Sequence, residues 1–369
     1  MKLEGYRVVD LSQFLPGPHL SMIMADHGAD VIKVEPPGGD PGRHIGLRQG
    51  EHSVFFSNAN RGKRSVCLNL KEAQDRDKLR RLLDTADVMI EGFRPGVAAR
   101  LGFGAAEVTA RNPRIVYCSI SAFGQTGPYR DVPAHDLAVE AIAGSLSVNL
   151  GSDHHPTIPA IPNADMAASL MALSAILMAL LRREKTGRGD CIDISMHDAL
   201  VGWMPNILGT VFSQARAPTP KHERQWGGAA FYNIYATSDA RHIVLGAQEI
   251  KFVGALLEEL QRTDLIELAE RGPGPHQQPL IEFLRALFAQ QSQAHWIEWF
   301  RSRALPFAPV QDLKEAMEDQ HLAARNMILR DAQGHRHLGA PIKFHDEPAE
   351  PNLTIAACGE HTDAVCGDI

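Results

Sequence analysis

Three places in the chain carry residue types suited to proton transfer or nucleophilic attack. His135 is followed by Asp136 at an expected helix start, Asp165 precedes the apolar run Met166–Leu181, and Glu249 follows the apolar strand His242–Leu245. Each has a plain alternative. An aspartate that opens a helix usually only caps it. An isolated histidine is more often structural, and an acid in a first helical turn complements the helix dipole. A second set is cationic: Arg43, Arg61, Lys63, Arg64, Lys71, Arg94 and Arg100 recur near the ends of expected strands. Ligands of parallel α/β sheets gather beyond the carboxyl ends of strands, where such cations would meet phosphate groups; a solvated surface is the alternative. Other chemistries lose their support. No G-x-G-x-x-G or G-x-x-x-x-G-K-[ST] pattern is present, so the dinucleotide and P-loop signatures are missing. Gly38-Gly39 reads as a turn. His154-His155 and His335-x-His337 lack a nearby third ligand, so no metal site is expected.

The elements that would position these residues alternate along the first part of the chain. Strands are expected at Tyr6–Leu11, Asp30–Val34, Ser65–Leu68, Val88–Ile90 and Ile115–Ile120, with helices from Pro18 to Gly28 and from Lys71 to Thr85. That alternation predicts an α/β fold with a mostly parallel sheet. Met166–Leu181 reads as a buried helix. It has an acid at its start, Arg182, Arg183 and Lys185 in its last turn and Gly187 past its end. It is too short for a membrane span. Cys191–Ser195 reads as a strand and Met196–Phe212 as one helix. Residues 1–212 form the first part of a large domain, and 213–230, with Pro218, Pro220, Gly227 and Gly228, read as a linker. Residues 231–320 form a smaller α+β domain, opening with a hairpin of Phe231–Tyr235 and His242–Leu245; 321–369 return to the large domain.

The 369 residues carry a net charge of −7, which argues against a broad nucleic-acid face. The cysteine count of five is odd and no C-x-x-C occurs, so reduced thiols in a cytoplasm are expected. The start of the chain has no apolar signal core, and no membrane association is expected.

An ordered series of short blocks then carries a resemblance. Gly17-Pro18, Gly28-Ala29-Asp30-Val31-Ile32-Lys33-Val34-Glu35, Asn60-Arg61-Gly62-Lys63-Arg64-Ser65, Leu68-Asn69-Leu70-Lys71 and Phe93-Arg94-Pro95-Gly96 are followed by Gly127-Pro128-Tyr129, Lys185-Thr186-Gly187-Arg188-Gly189 and Gly359-Glu360-His361-Thr362. Collinear over nearly the whole chain, the set resembles the class III coenzyme A transferases (CaiB/BaiF type), a family that includes the α-methylacyl-CoA racemases. The resemblance implies a large Rossmann-like domain, a smaller inserted domain and an interlocked homodimer.

It also assigns roles. Asp165 matches the family's reactive aspartate, which is a nucleophile in the transferases and a proton carrier in the racemases. His135-Asp136 matches a His-Asp pair of the racemase branch, and Gly246-Ala247-Gln248-Glu249 a segment whose glutamate pairs with that histidine. Lys71 and Arg100 match cationic coenzyme contacts, with Arg94 beside them, and Leu68 and Phe93 match apolar ones. The closer likeness is to the racemases: a 2-methylacyl-CoA racemase of lipid metabolism acting on an acyl-CoA thioester. Coenzyme A is part of the substrate, with no tightly bound cofactor and no metal. A coenzyme A transferase is the alternative. Pro36 stands where the family often has an arginine, Gly92 where asparagine is common, and Ile250 where racemases carry proline. One tension is physical: a helix start favours an ionised Asp165, whereas an aspartate that must deliver a proton needs its pKa raised.

Overall fold

Short runs rich in Val and Ile, buried on both faces, assemble as a parallel sheet. In the computed structural model, which describes residues 1–151 and 153–367, six strands do so: β1 (Arg7–Asp10), β2 (Asp30–Glu35), β3 (Arg64–Cys67), β4 (Val88–Glu91), β5 (Val116–Ser121) and β6 (Cys191–Ser195). Their order is β3-β2-β1-β4-β5-β6, and every neighbouring pair is parallel. The order reverses between β1 and β4, so the crevice beyond their carboxyl ends is where such a sheet takes a ligand. Val9, Ile32, Val66 and Met89 pack beneath Leu79 and Leu82 of a covering helix to form one core.

Two helices follow from local chemistry. The helix α1 (Pro16–Asp26) begins two residues before Pro18, where it was expected, because Pro16 lies in its first turn and brings a helical φ without needing a partner for an N–H. Past its end, Gly28 supplies a φ of 102°. The apolar run after Asp165 belongs to a longer helix than its composition indicated, Asn163–Thr186, closed by Gly187 at φ 70°. That length and apolarity would suffice to cross a bilayer, but half of its most apolar stretch is buried in the protein. Its Arg183, read as a last-turn cation, is 3% exposed and pairs with Asp87 at 2.9 Å.

The single helix expected over Met196–Phe212 is two, Met196–Gly202 and Gly209–Gln214. Pro205 lies between them; it has no N–H to donate and disfavours helical geometry in the residue before it.

Contacts divide the chain into one unit of Met1–Ser145, Ile158–Trp203 and Gln320–Ile369, and another of Leu146–Thr157 and Met204–Asp319. The division therefore falls before Met204 rather than after 212, and an excursion at Leu146–Thr157 joins the second unit. Residues 213–230 are part of that unit, not a linker. Gly228 leaves no room for a Cβ, which would lie 2.4 Å from the His222 carbonyl carbon, and Ala229 and Ala230 are buried. The second unit holds a three-stranded antiparallel sheet, with Tyr232–Ala236 and Phe307–Pro309 flanking His242–Gly246. Helices Ile250–Glu259, Gln278–Phe288 and Gln293–Arg301 cover it, around a core that includes Tyr235, Leu284, Phe288 and Phe300.

Candidate active site

Asp165 occupies the first turn of Asn163–Thr186, named α3 here, and a shorter helix α2 (Asp136–Ala143) has His135 as its N-cap residue. The four N–H groups that open a helix need acceptors. In α3 they are all accounted for. Asn163 donates its backbone N–H to Glu140 Oε1 at 3.1 Å, Ala164 and Asp165 donate theirs to Asp136 Oδ1 at 2.8 and 3.1 Å, and Met166 donates to the Pro162 carbonyl at 3.1 Å. Asp136 and Glu140 sit four apart on α2, so they share one face of it. Glu140 is 1% exposed and also accepts from Asn163 Nδ2 at 3.1 Å.

This arrangement resolves the tension in the sequence. The amides that would favour ionised Asp165 are held by two other carboxylates. Burial, and then the neighbouring Asp136 carboxylate, push Asp165 up to about 7. Asp136 is itself raised, chiefly by burial, with Glu140 adding to it against the stabilising amides. A carboxyl poised near neutrality can both take and give a proton.

The structure brings His135 and Asp165 to one helix–helix junction, since the helix that His135 starts also caps the helix that Asp165 starts. His135 is exposed, and its imidazole lies edge-on to Phe14 with ring centroids 5.9 Å apart. Glu249 belongs to the second unit. It is exposed there, as the N-cap residue of Ile250–Glu259, and its side chain makes no capping bond.

The expected coenzyme contacts lie past the carboxyl ends of β3 and β4. Leu68, 1% exposed, and Phe93, half-buried, share one apolar cluster. Leu68 therefore offers little surface to any ligand, while Phe93 retains some. Lys71, Arg94 and Arg100 are exposed, and among the described residues no carboxylate pairs with them. A side chain added at Gly96 would meet Arg100 Nη1 at 3.2 Å and Arg130 Nη2 at 3.7 Å, so two guanidinium groups converge over that glycine.

Several contributors escaped the sequence. Glu140 had a legible sign, its place one turn after Asp136 on the same helix. Arg130 follows the Gly127-Pro128-Tyr129 block directly. Phe14 gave none, because a strained backbone is invisible in residue order.

Comparison with known proteins shows the family. A family model described as CoA-transferase family III matches residues 3–362. The chain is 34% identical to an acetyl-CoA:oxalate CoA-transferase of Acetobacter aceti, over 95% of its own length and 92% of that protein's. It is 31% identical to the human α-methylacyl-CoA racemase, over 99% and 92% of the two chains. The crystal structure of a CAIB/BAIF family protein from Brucella suis superposes with a TM-score of 0.86 at 28% identity, covering 99% of this chain and 98% of that one. The protein belongs to CoA-transferase family III.

Proposed function

We propose that this family member is a 2-methylacyl-CoA racemase, interconverting the two epimers at the carbon beside the thioester carbonyl. The observation that carries the reading is the capping of α3 by Asp136 and Glu140, which leaves Asp165 without amide donors and raised toward neutrality. A nucleophilic carboxylate gains from those donors; a proton carrier is better without them.

The chemistry needs a base on one face of the α-carbon and an acid on the other, because the new proton arrives opposite the lost one. His135 and Asp165 fill these roles and exchange them with direction. The pair carries one proton in either direction, on one residue or the other. Removal of the α-proton gives an enolate, whose oxygen needs hydrogen-bond donors. They come from outside the first turn of α3, whose amides are occupied. The resemblance assigns to Glu249 the stabilisation of the protonated imidazole. The step is redox-neutral and asks for no cofactor or metal beyond the coenzyme A of the substrate.

Lys71, Arg94 and Arg100, joined by Arg130, take the coenzyme's phosphates, with Phe93 against its apolar parts. A homodimer would use the exposed stripe Leu170, Met171, Leu177, Met178 and Leu181 along α3.

The second reading, a coenzyme A transferase, is favoured by the 34% identity to the oxalate enzyme. There Asp165 would attack the thioester and carry an acyl group. The two separate on pH. Proton exchange by a two-base pair gives a bell-shaped profile, while a lone nucleophile gives activity that rises with Asp165 ionisation and levels off.

A further inference from the structure

The loop Leu11–Leu15 leaves β1 at the point where the strand order reverses, and it is braced on both sides. The buried Lys33 ammonium donates to the Ser12 carbonyl at 2.9 Å, and the buried Lys63 ammonium donates to the Pro18 carbonyl at 2.8 Å. Asp10 Oδ1 accepts from the Ser12 backbone N–H at 2.9 Å. Gly17 closes the loop so tightly that a Cβ there would lie 2.1 Å from Ser12 Oγ. Within this frame Phe14 holds a φ of 63°, a left-handed conformation that glycine adopts freely and an aromatic residue does not. Such strain persists only where the surroundings over-determine it, and it gathers at functional sites.

The strain places a ring. Phe14 meets the His135 imidazole at 5.9 Å with the planes at 82°, the edge-to-face geometry that aromatic pairs prefer. Among the described residues no hydrogen bond within its own unit fixes that imidazole, and the edge of the Phe14 ring packs against it.

We propose that Phe14 is a positioning residue: its strained backbone, clamped by Lys33 and Lys63, presents a ring that holds the His135 imidazole in the orientation proton transfer requires. This rests on His135 acting as an acid–base group, and it gives a second role to the carbonyl bonds of two lysines that already pair with Asp40 and Asp10. The residue to remove is Phe14, not the clamp.

The test uses the full-length protein with Phe14→Gly and Phe14→Leu. Glycine relieves the backbone while removing the ring, so Phe14→Gly is expected to melt no lower than the parent. The His135 imidazole signal in ¹H–¹³C NMR, assigned with His135→Asn, is expected to move and to report a mobile ring. Entry of deuterium at the α-carbon of a 2-methylacyl-CoA is expected to slow about tenfold in kcat, with KM nearly unchanged. Phe14→Leu, which keeps bulk but not the edge contact, covers the case in which the glycine variant does not fold. An unmoved His135 signal, or a loss confined to KM, would overturn the proposal. If the parent protein exchanges no α-proton, the racemase reading fails by itself, and the NMR signal alone decides whether Phe14 holds His135.

Discussion

Two aspartates in the same unit illustrate how surroundings set the charge state of an acid. Asp10, at the end of β1, is completely buried, and burial alone would lift its pKa. The Lys63 and Lys33 ammonium groups and the Ser12 and Ser21 hydroxyls outweigh that, holding it at about 2. Asp165 is only half-buried, yet burial and the Asp136 carboxylate take it up to about 7, because no cation or donor among the described residues answers it. Desolvation acts on both; the partners decide the sign. Asp10 therefore stabilises the fold, whereas Asp165 costs stability, as the proposed proton transfer would require.

Linkage gives the two opposite pH signatures. Asp10 contributes stability above its unfolded pKa, and the contribution is lost as the pH falls toward about 2. Asp165 costs nothing while protonated in both states. Its penalty grows as the pH rises from the ordinary aspartate range to about 7.

Breaking the comparison from the Asp10 side has the largest expected effect. Asp10→Asn leaves Lys63 buried without its counter-charge, which should cost about 3–5 kcal/mol in denaturant unfolding. Asp165→Asn should do the reverse, raising the melting temperature by about 3 °C at pH 8 and by less at pH 5, while α-proton exchange falls by about 10²–10⁴. His135→Ala should lose a similar factor in exchange with little change in melting, and survival of exchange in that variant would remove the two-base mechanism. Asp136→Asn sharpens the comparison: asparagine can still accept from the α3 amides but no longer repels Asp165, so the acid limb of the pH–rate profile should move to lower pH. The smallest effects belong to Lys71→Ala and Arg94→Ala, each expected to raise KM for the coenzyme A thioester about 3–10-fold with kcat held.

Much of the sheet was legible because buried parallel strands read as Val/Ile runs between turns, and β6 lies at Cys191–Ser195 as its sequence indicated. The break at Pro205 was missed: the proline was a signal, but apolar residues on both sides of it made two helices read as one. The unit boundary was harder. Proline and glycine at 213–230 suggest a linker, whereas only packing shows that Gly228 is wedged against His222. At the site, residue types located His135 and Asp165 but left the state of Asp165 open. That state depends on carboxylates reaching from α2 to the first turn of α3, a tertiary contact that no local pattern records. The stripe that includes Met171 and Met178 could be read as core from its spacing, yet these side chains are exposed.

The most direct test follows one proton. A single epimer of a 2-methylacyl-CoA is incubated with the protein in heavy water, without any acceptor acid, while mass spectrometry follows deuterium at the α-carbon and chiral separation follows the epimer ratio. Deuterium entry together with epimerisation, bell-shaped in pH, is the predicted result. Absence of exchange, with coenzyme A passing to an added carboxylic acid through a covalent adduct on Asp165, would contradict it.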